Sequence, residues 1–250
     1  MTPRIHVGVG GWTFEPWRDN FYPAGLPQAR ELHYASRQLT AIEVNGTYYS
    51  TFRPATFAKW RDETPEGFVF SLKAHRFATH RKDLRQAGDS IRHFVASGVA
   101  ELGDKLGPIV WQFMPTKAFD PGETQAFLEL LPREVAGREL RHVLDVRHAS
   151  FATEAYLELL ARHGCTTVYT DSPKFPAIPH AGHDLAYLRL MRSEADCPTG
   201  YAAGALRSWV QGARAWVDAG PARAAYVFFI NGAKERAPAA AMEFLAQLRG

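Results

Sequence analysis

The chain has 250 residues, of which 46% are hydrophobic and 22% are charged. This composition is typical of a globular protein with a large core, and it excludes an intrinsically disordered chain. The 29 basic and 26 acidic residues leave a net charge of only +3, which is far from the strongly basic balance of a dedicated nucleic-acid-binding protein.

Apolar runs and cysteines exclude two further classes of protein. The longest apolar run, Ala224 to Ile230, is about a third of the roughly 20 residues that a membrane-spanning helix needs. No charged-then-apolar signal segment opens the chain. Cys165 and Cys197 form no C-x-x-C pair, so neither a zinc site nor a disulfide framework is predicted. We expect a cytoplasmic protein that does not bind membranes.

Eight apolar runs follow one another along the chain, and most are followed by a polar or aromatic cluster and then by a helix-like stretch. The runs are Ile5 to Val9, Thr40 to Val44, Phe68 to Leu72, Pro108 to Phe113, His142 to Val146, Thr166 to Tyr169, Leu185 to Leu190 and Ala224 to Ile230. Strands that alternate with helices favour a parallel sheet, and eight such units in a chain of about this length predict an α/β fold, a single (β/α)8 TIM barrel over residues 1–250.

Amphipathic stretches between the runs predict the outer helices. Leu32, Ala35 and Leu39 share one helical face after the first strand, as a helix that covers a barrel requires. Similar patterns occur at Ile91 to Leu102, Phe127 to Leu131, Tyr156 to Leu160, Trp209 to Val217 and Met242 to Leu248.

Two stretches lack a helical pattern. Between Asp171 and Asp184, prolines at positions 173, 176 and 179 forbid a regular helix. We therefore predict an irregular, Pro-rich loop beside the barrel mouth in place of the sixth helix. Leu131 to Arg141 is interpreted as a polar turn, and no linker divides the chain.

Polar and aromatic residues follow the runs, where a barrel would bring them to one mouth. Active sites of this fold lie at that end. The residues so placed are Trp12, Asn45, Tyr48, Lys73, Gln112, Arg147, His148, Asp171, Arg189 and Asn231.

Glu43 is the first carboxylate that the alternation of strand residues places inside the predicted barrel. Glu43 and Asn45 flank Val44, so in a strand both side chains point to the same side. The simplest partner for an inward carboxylate is Lys73, in a buried ion pair that is costly to desolvate but can fix a reactive group. Glu43 can instead tie strands together without chemistry, and a desolvated Lys73 can act as a Schiff-base nucleophile.

Asp145, Arg147 and His148 form the densest polar group at any predicted strand end. Asp145 and Arg147 point the same way by alternation. An arginine fixed by a carboxylate is preorganised to bind a phosphate or carboxylate, and a histidine can transfer a proton near neutral pH. The alternative is a structural Asp/Arg pair beside a solvent-facing histidine.

The glycines after the first strand do not form a cofactor motif. Gly8 and Gly10 begin a G-x-G pattern, but Thr13 stands where the third glycine of a dinucleotide fingerprint belongs. No cofactor is therefore predicted, although these glycines can let a substrate approach the backbone. Trp12, Phe14 and Trp17 either form an aromatic wall over a ligand or seat the loop on the barrel rim.

Residues 73–93 hold six lysines or arginines against Asp83 and Asp89, and His80 lies among them. Such a cluster can contact nucleic-acid phosphates, or it can be a solvated helix face.

A divalent metal site is a weaker alternative. Glu43, Asp145, His148 and Asp171 have suitable ligand types. No ligand-spacing motif supports such a site, and we assign no metal ligand.

Short motifs are spread along nearly the whole chain. They are Val9-Gly10-Gly11-Trp12 with Trp17, Phe21-Tyr22-Pro23, Glu43-Val44-Asn45 with Thr47-Tyr48-Tyr49, Pro54 with Phe57 and Trp60, Pro65 with Gly67-Phe68, Lys73, Thr79-His80, Leu106-Gly107-Pro108, Gln112-Phe113, Arg147-His148 and Phe228-Phe229 with Asn231. Together these motifs resemble the domain-of-unknown-function 72 family, the YecE-like TIM-barrel proteins. The resemblance implies a (β/α)8 barrel and a small-molecule site at its mouth, but no reaction.

Several positions depart from the pattern that this family implies. Asp145 stands where a Glu is expected, and Phe151 where a Trp is expected. Met191 and Arg192 replace a His-Gly pair, and Asn231 is followed by Gly232 rather than by a second asparagine. These changes affect the expectation of shared catalysis more than that of a shared fold.

The leading hypothesis is an enzyme that hydrolyses or isomerises a small polar substrate, anionic or sugar-like, by acid/base chemistry. Its catalytic residues would be Glu43, Lys73, Asp145 and His148. Substrate-binding residues would be Trp12, Asn45, Tyr48, His80, Gln112, Arg147, Asp171, Arg189 and Asn231. The alternatives are a non-catalytic barrel that binds a ligand or nucleic acid through residues 73–93, and a metal-dependent, nuclease-like hydrolase. The sequence does not indicate an oligomeric state.

Overall fold

The eight predicted runs form a closed barrel of parallel strands. The computed structural model describes residues 4–18, 20–179 and 184–250. The barrel strands are β1 (Ile5–Gly10), β2 (Ala41–Val44), β3 (Val69–Lys73), β4 (Leu106–Gln112), β7 (His142–Asp145), β8 (Thr166–Thr170), β9 (Leu185–Leu190) and β10 (Ala224–Phe229), and β5 (Glu134–Val135) and β6 (Arg138–Glu139) lie outside it. They pair in the order β1-β10-β9-β8-β7-β4-β3-β2, which confirms the predicted (β/α)8 barrel.

Helices surround the barrel. Their bounds are α1 (Glu31–Gln38), α2 (Gly46–Tyr49), α3 (Pro54–Glu63), α4 (Gly88–Val95), α5 (Pro121–Glu129), α6 (Glu154–Arg162), α7 (Ala203–Asp218) and α8 (Ala237–Arg249). Side chains cap two of them: Asp120 accepts from the backbone N–H of Glu123 at 2.7 Å and Thr153 accepts from that of Tyr156 at 3.3 Å, which satisfies N–H groups that the first helical turn leaves free. Among the described residues, no helix combines the length and apolarity needed to cross a lipid bilayer.

Alternation along the strands divides the apolar core into two layers. Odd-numbered residues of β1, such as Val7 and Val9, face the helices. Inside the barrel, Val110, Val143 and Phe228 belong to a separate cluster at mid-height. Because side chains alternate in and out, the inward positions that follow this cluster reach the carboxyl ends of the strands.

Two glycines of β1 permit close packing of the protein itself. A Cβ atom on Gly8 would lie 1.8 Å from the carbonyl oxygen of Ala41, and one on Gly10 would lie 2.9 Å from Asn45 Nδ2. These glycines therefore allow β2 and Asn45 to approach β1. At these two positions the close approach is made by the protein, and Gly10 and Gly11 also line the cavity at the barrel mouth.

The Pro-rich stretch after β8 contains no helix in residues 171–179, as predicted, and residues 180–183 lie outside the described part. Phe175 of this loop lies 4.5 Å below the guanidinium of Arg147, so the loop borders the mouth. The predicted polar turn from Leu131 to Arg141 contains the antiparallel pair β5–β6. β4 and β7 pair directly, so the barrel sheet continues across this stretch.

Candidate active site at the barrel mouth

A cavity of about 730 Å³ opens at the carboxyl ends of the strands. Seven residues predicted from the sequence line it: Trp12, Asn45, Lys73, Gln112, Arg147, Arg189 and Asn231. Tyr49, which follows the second predicted strand, lines it as well. Phe52, Trp60 and Lys234 also line it, and the sequence had not assigned them to the site. The cavity therefore combines cationic, amide and aromatic side chains.

Arg189, on β9, holds the two inward carboxylates. Its Nη1 donates to Asp145 Oδ2 at 2.6 Å and its Nη2 donates to Glu43 Oε1 at 3.1 Å. Burial favours the neutral forms of Arg189 and Asp145, but the opposite charges nearby have the larger combined effect. The two carboxylates raise the pKa of Arg189. Arg189 and Arg147 together hold the pKa of Asp145 below its ordinary value. Arg189 and Asp145 are therefore charged, and the hydrogen bonds hold Arg189, Asp145 and Glu43 in place.

The predicted ion pair between Glu43 and Lys73 does not form. Arg189 is the cation that pairs with Glu43. A planar guanidinium carries N–H groups on separate nitrogens and can bridge both carboxylates at once, whereas the ammonium of a lysine is a single point charge. Within the described residues, Lys73 Nζ is thus left without a carboxylate oxygen within 4 Å.

Tyr187 supports Glu43 from below, and sequence reasoning missed it. Its hydroxyl donates to Glu43 Oε2 at 2.8 Å and lies 2.7 Å from Ser71 Oγ. Tyr187 is two positions before Arg189, so strand alternation turns both inward; that spacing was the available signal.

A hydrogen-bonded chain runs from Asp145 to the rim. Arg147 Nη2 donates to Asp145 Oδ2 at 3.0 Å and to Gln112 Oε1 at 2.7 Å. Gln112 Nε2 in turn donates to the Tyr48 hydroxyl at 3.2 Å, and this hydroxyl also bonds His80 Nε2. The predicted pairing of Asp145 with Arg147 is thus confirmed, and the chain holds Arg147 with 15% of its side chain exposed.

Lys73 is the unusual group of the site. Its side chain is 6% exposed, and its Nζ lies 4.1 Å above the centre of the Tyr48 ring. Burial, and then the charge of Arg189, lower the pKa of Lys73 from 10.5 to about 8. A buried amine with a lowered pKa in a cleft is typical of functional sites.

Aromatic rings form one wall of the cavity. Trp12 packs edge-on against Trp60, with ring centres 5.1 Å apart, and Trp60 contacts Phe52 at 5.2 Å. At the rim, Lys234 Nζ lies 4.3 Å from the centre of the Phe14 ring, and burial lowers the pKa of Lys234. Of the three aromatics singled out in the sequence, Trp12 lines the cavity, whereas the Trp17 indole donates to the backbone of Lys234 and seats the loop.

The charge of the cavity wall is one-sided. Lys73, Arg147, Arg189 and Lys234 line it, and no aspartate or glutamate does within the described part of the chain. Glu43 and Asp145 lie behind Arg189 and are 0% and 3% exposed. A ligand in the cavity would therefore meet positive charge.

Six predicted site residues do not line this cavity. Glu43, Asp145, Tyr48 and His80 belong to the hydrogen-bonded network beside it, whereas His148 and Asp171 are bonded elsewhere. His148 Nδ1 is bonded to Ser150 Oγ at 2.8 Å. Asp171 accepts from the Met191 backbone N–H at 2.6 Å and from the Tyr201 hydroxyl at 2.9 Å. Both side chains hold loops in place.

The groups considered for a metal site do not converge. Among residues 4–18, 20–179 and 184–250, no three His, Cys, Asp or Glu side chains are arranged to hold an ion. Glu43 and Asp145 are bonded to Arg189, whereas His148 and Asp171 bond loop residues. No metal-dependent step is derived from this arrangement.

The basic segment, residues 73–93, is partly neutralised. Arg85 pairs with Asp83 at 2.8 Å, and Arg92 pairs with Asp89. Arg81 donates to Ser90 Oγ at 2.6 Å. The two ion pairs reduce the positive charge that this segment offers to a nucleic-acid backbone.

A family model described as a protein of unknown function, DUF72, matches residues 6–250. The chain belongs to this family. Among curated DUF72 relatives, the UPF0759 protein YecE of Escherichia coli (strain K12) is 28% identical over 186 residues, which are 71% of this chain and 63% of that protein. The UPF0759 protein YunF of Bacillus subtilis (strain 168) is 24% identical over 160 residues, 62% of this chain and 54% of that protein. The matches thus span less than two thirds of these relatives, whose names state no activity.

Solved DUF72 structures share the fold. A protein from Thermotoga maritima MSB8 superposes with a TM-score of 0.76 at 22% identity, covering 99% of this chain and 100% of that chain. One from Enterococcus faecalis V583 gives a TM-score of 0.69 at 15% identity, covering 98% and 96%. At these identities the likeness establishes the barrel fold alone.

Proposed function

We propose that this DUF72 protein is an acid/base enzyme, a hydrolase or isomerase, whose barrel mouth binds a small anion such as a phosphate, a carboxylate or an acidic sugar derivative. One observation carries the proposal: the wall of the mouth cavity presents four cationic side chains and no carboxylate among the described residues. Such a wall favours anions, and its partial burial strengthens the attraction.

Arg147 is the group that we assign to the anion. Gln112 and Asp145 both bind its Nη2, and its guanidinium carbon lies 4.5 Å from the centre of the Phe175 ring. A guanidinium that is fixed in this way can bind two oxygens of a planar or tetrahedral oxyanion without losing further side-chain freedom.

Lys73 is the group that we assign to proton transfer. With a pKa of about 8, a substantial fraction of the amine is neutral near physiological pH and can accept a proton. Glu43 and Asp145 are both bonded to Arg189. We therefore assign Glu43 and Asp145 positioning roles, in place of the catalytic roles expected from the sequence, and we assign no chemistry to His148.

The size and wall of the cavity bear on the rest of the substrate. About 730 Å³ falls within the range of about 300–1,000 Å³ that small-molecule sites occupy. Trp12, Phe52 and Trp60 offer ring faces and edges to an apolar or sugar-ring body. Asn45 and Asn231 line the same cavity and supply amides that hydroxyl groups can bind.

A second candidate chemistry uses the same lysine. A neutral Lys73 amine can attack a substrate carbonyl, so that a C–N bond forms and water leaves to give an imine. The lowered pKa of Lys73 favours this reaction too. Borohydride reduction in the presence of a carbonyl compound, followed by peptide mass spectrometry, would find the adduct on Lys73 if it forms.

The first experiment is a thermal-shift screen with phosphates, sugar phosphates, carboxylates and nucleotides at two salt concentrations. It compares the wild type with Arg147→Gln. Arg207→Gln is the matched control, because Arg207 is exposed on α7 and loses the same charge. A ligand at a hundred times its dissociation constant adds about 2.7 kcal/mol of stability.

The proposal predicts a salt-tolerant shift with one class of small anion, lost in Arg147→Gln and kept in Arg207→Gln. Shifts with oligonucleotides alone, lost at the higher salt, would contradict it and favour a nucleic-acid-binding barrel.

A further inference from the structure

A second cavity, of about 530 Å³, lies at the opposite end of the barrel. Residues at the amino ends of the strands line it, including His6 of β1, Val69 of β3 and Tyr226 of β10. On β10, Tyr226 and the mouth residue Ile230 are four positions apart, which is about 13 Å along a strand. The apolar cluster inside the barrel, with Val110, Val143 and Phe228, separates the two cavities.

Positive charge is in excess here too. Arg4, Arg138, Arg141 and Arg223 line the cavity, against Asp104 and Glu139. Arg138 bonds Asp104 at 2.5 Å and Arg4 lies 3.5 Å from Asp218.

Two of the four arginines keep their charge available. Within the described residues, neither Arg141 nor Arg223 has a carboxylate oxygen within 4 Å. Arg223 instead lies over the Trp216 ring at 4.4 Å. Two guanidinium groups in one cavity are thus not neutralised by the protein.

His6 supplies an independent observation. It is 4% exposed, its ring stacks on Tyr226 with centres 4.7 Å apart and planes 15° from parallel, and its Nδ1 has no hydrogen-bond partner. Burial, and then the charge of Arg141, lower the pKa of His6 to about 4. A buried polar atom without a hydrogen-bond partner costs stability. Such an atom in a folded protein is usually bonded to a ligand or a water molecule.

We propose that this cavity is a second binding site, for the phosphate or diphosphate group of a small molecule. Arg141 and Arg223 would bind the dianion. The Tyr226 hydroxyl would donate a hydrogen bond to it, and neutral His6 would border it without adding charge. Arginine is favoured at such sites because its N–H groups pair with two phosphate oxygens.

The test counts bound inorganic pyrophosphate per chain by equilibrium dialysis at millimolar probe. The variants are Arg141→Gln, Arg223→Gln and the mouth variant Arg147→Gln, with exposed Arg207→Gln as the control. Circular dichroism and the unfolding midpoint verify that each variant is folded. Arg223 is only partly buried, so the Arg223→Gln variant remains informative if Arg141→Gln is unstable.

The proposal predicts a pyrophosphate site that survives Arg147→Gln and loses at least ten-fold affinity in Arg141→Gln or Arg223→Gln. Arg207→Gln should bind like the wild type. Binding that disappears in Arg147→Gln and is unchanged in folded Arg141→Gln and Arg223→Gln would overturn this inference and leave the mouth site standing. The absence of any binding in the wild type would overturn it as well.

Discussion

The middle and the mouth of the barrel interior are built from the same strands, yet they bury opposite kinds of side chain. At mid-height, Val110, Val143 and Phe228 pack as an apolar layer. A few residues further along the strands, Glu43, Asp145 and Arg189 are buried just as completely. Hydrophobic burial stabilises the middle, whereas the mouth must offset the desolvation of its charges by mutual bonding.

This difference separates residues that hold the fold from residues that are poised for a ligand. The apolar side chains of the middle layer pack on one another and offer no polar group to a ligand. At the mouth, Arg189 satisfies both carboxylates, which leaves Lys73 and Arg147 facing the cavity. Substitutions in the two layers should therefore change different properties.

The largest effect is expected for Arg189→Met. It leaves Glu43 and Asp145 buried without their shared partner, and breaking a buried ion pair in this way costs about 3–5 kcal/mol. Urea unfolding measures the loss against Arg207→Met, an exposed control that should change stability by less than about 0.5 kcal/mol. Equal stabilities of the two variants would show that the mouth charges are not a coupled network.

Arg147→Gln should weaken anion binding by about 10- to 100-fold, the equivalent of a charged hydrogen bond of about 1.5–3 kcal/mol. Its effect on stability should be small, because Asp145 keeps its bond to Arg189. Titration calorimetry with the anion found in the screen measures the affinity. An unchanged affinity would remove Arg147 from the site.

Lys73→Met should stabilise the protein by about 1–3 kcal/mol at pH 7, because a lowered lysine pKa reports an unfavourable buried charge. The folded pKa is about 8 and the ordinary value is 10.5. Between these values the unfolded chain binds more protons than the folded one, so the wild type gains stability as pH rises.

The advantage of Lys73→Met over the wild type should accordingly shrink between pH 8 and pH 10.5. Urea unfolding across this range measures it, with exposed Lys59→Met as the control. A destabilised Lys73→Met with no pH dependence would show that the lysine serves the fold.

The smallest effect is expected in the middle layer. Phe228→Leu should lower the free energy of unfolding by about 1 kcal/mol, as conservative core changes do, and leave anion affinity within two-fold. Unfolding and calorimetry on the same sample measure both. A large loss of affinity would mean that the two layers are not separable.

Sequence predicted the strands well because apolar runs bounded by polar clusters are a local signal. Every barrel strand begins and ends within two residues of its predicted limits. The pair Asp145–Arg147 was predictable for the same reason, since alternation places i and i+2 on one side.

The partner of Glu43 was not predictable, because it depends on which cation lies across the barrel. Lys73 is on the neighbouring strand, but Arg189, 146 positions away, makes the bond. His148 and Asp171 also sit at strand ends, yet loop hydrogen bonds turn them out of the cavity. Local sequence patterns do not indicate which of several distant residues will form a hydrogen bond.

The most direct test of the central claim is the titration of Lys73 by NMR of carbon-13-labelled lysine, with Lys73→Met to assign its signal. We expect a pKa near 8 that rises when the screened anion binds, because the anion favours the charged amine, and that rises less in Arg147→Gln. A Lys73 that titrates near 10.5 with or without the anion would contradict the assignment of proton transfer to Lys73 at an anion site.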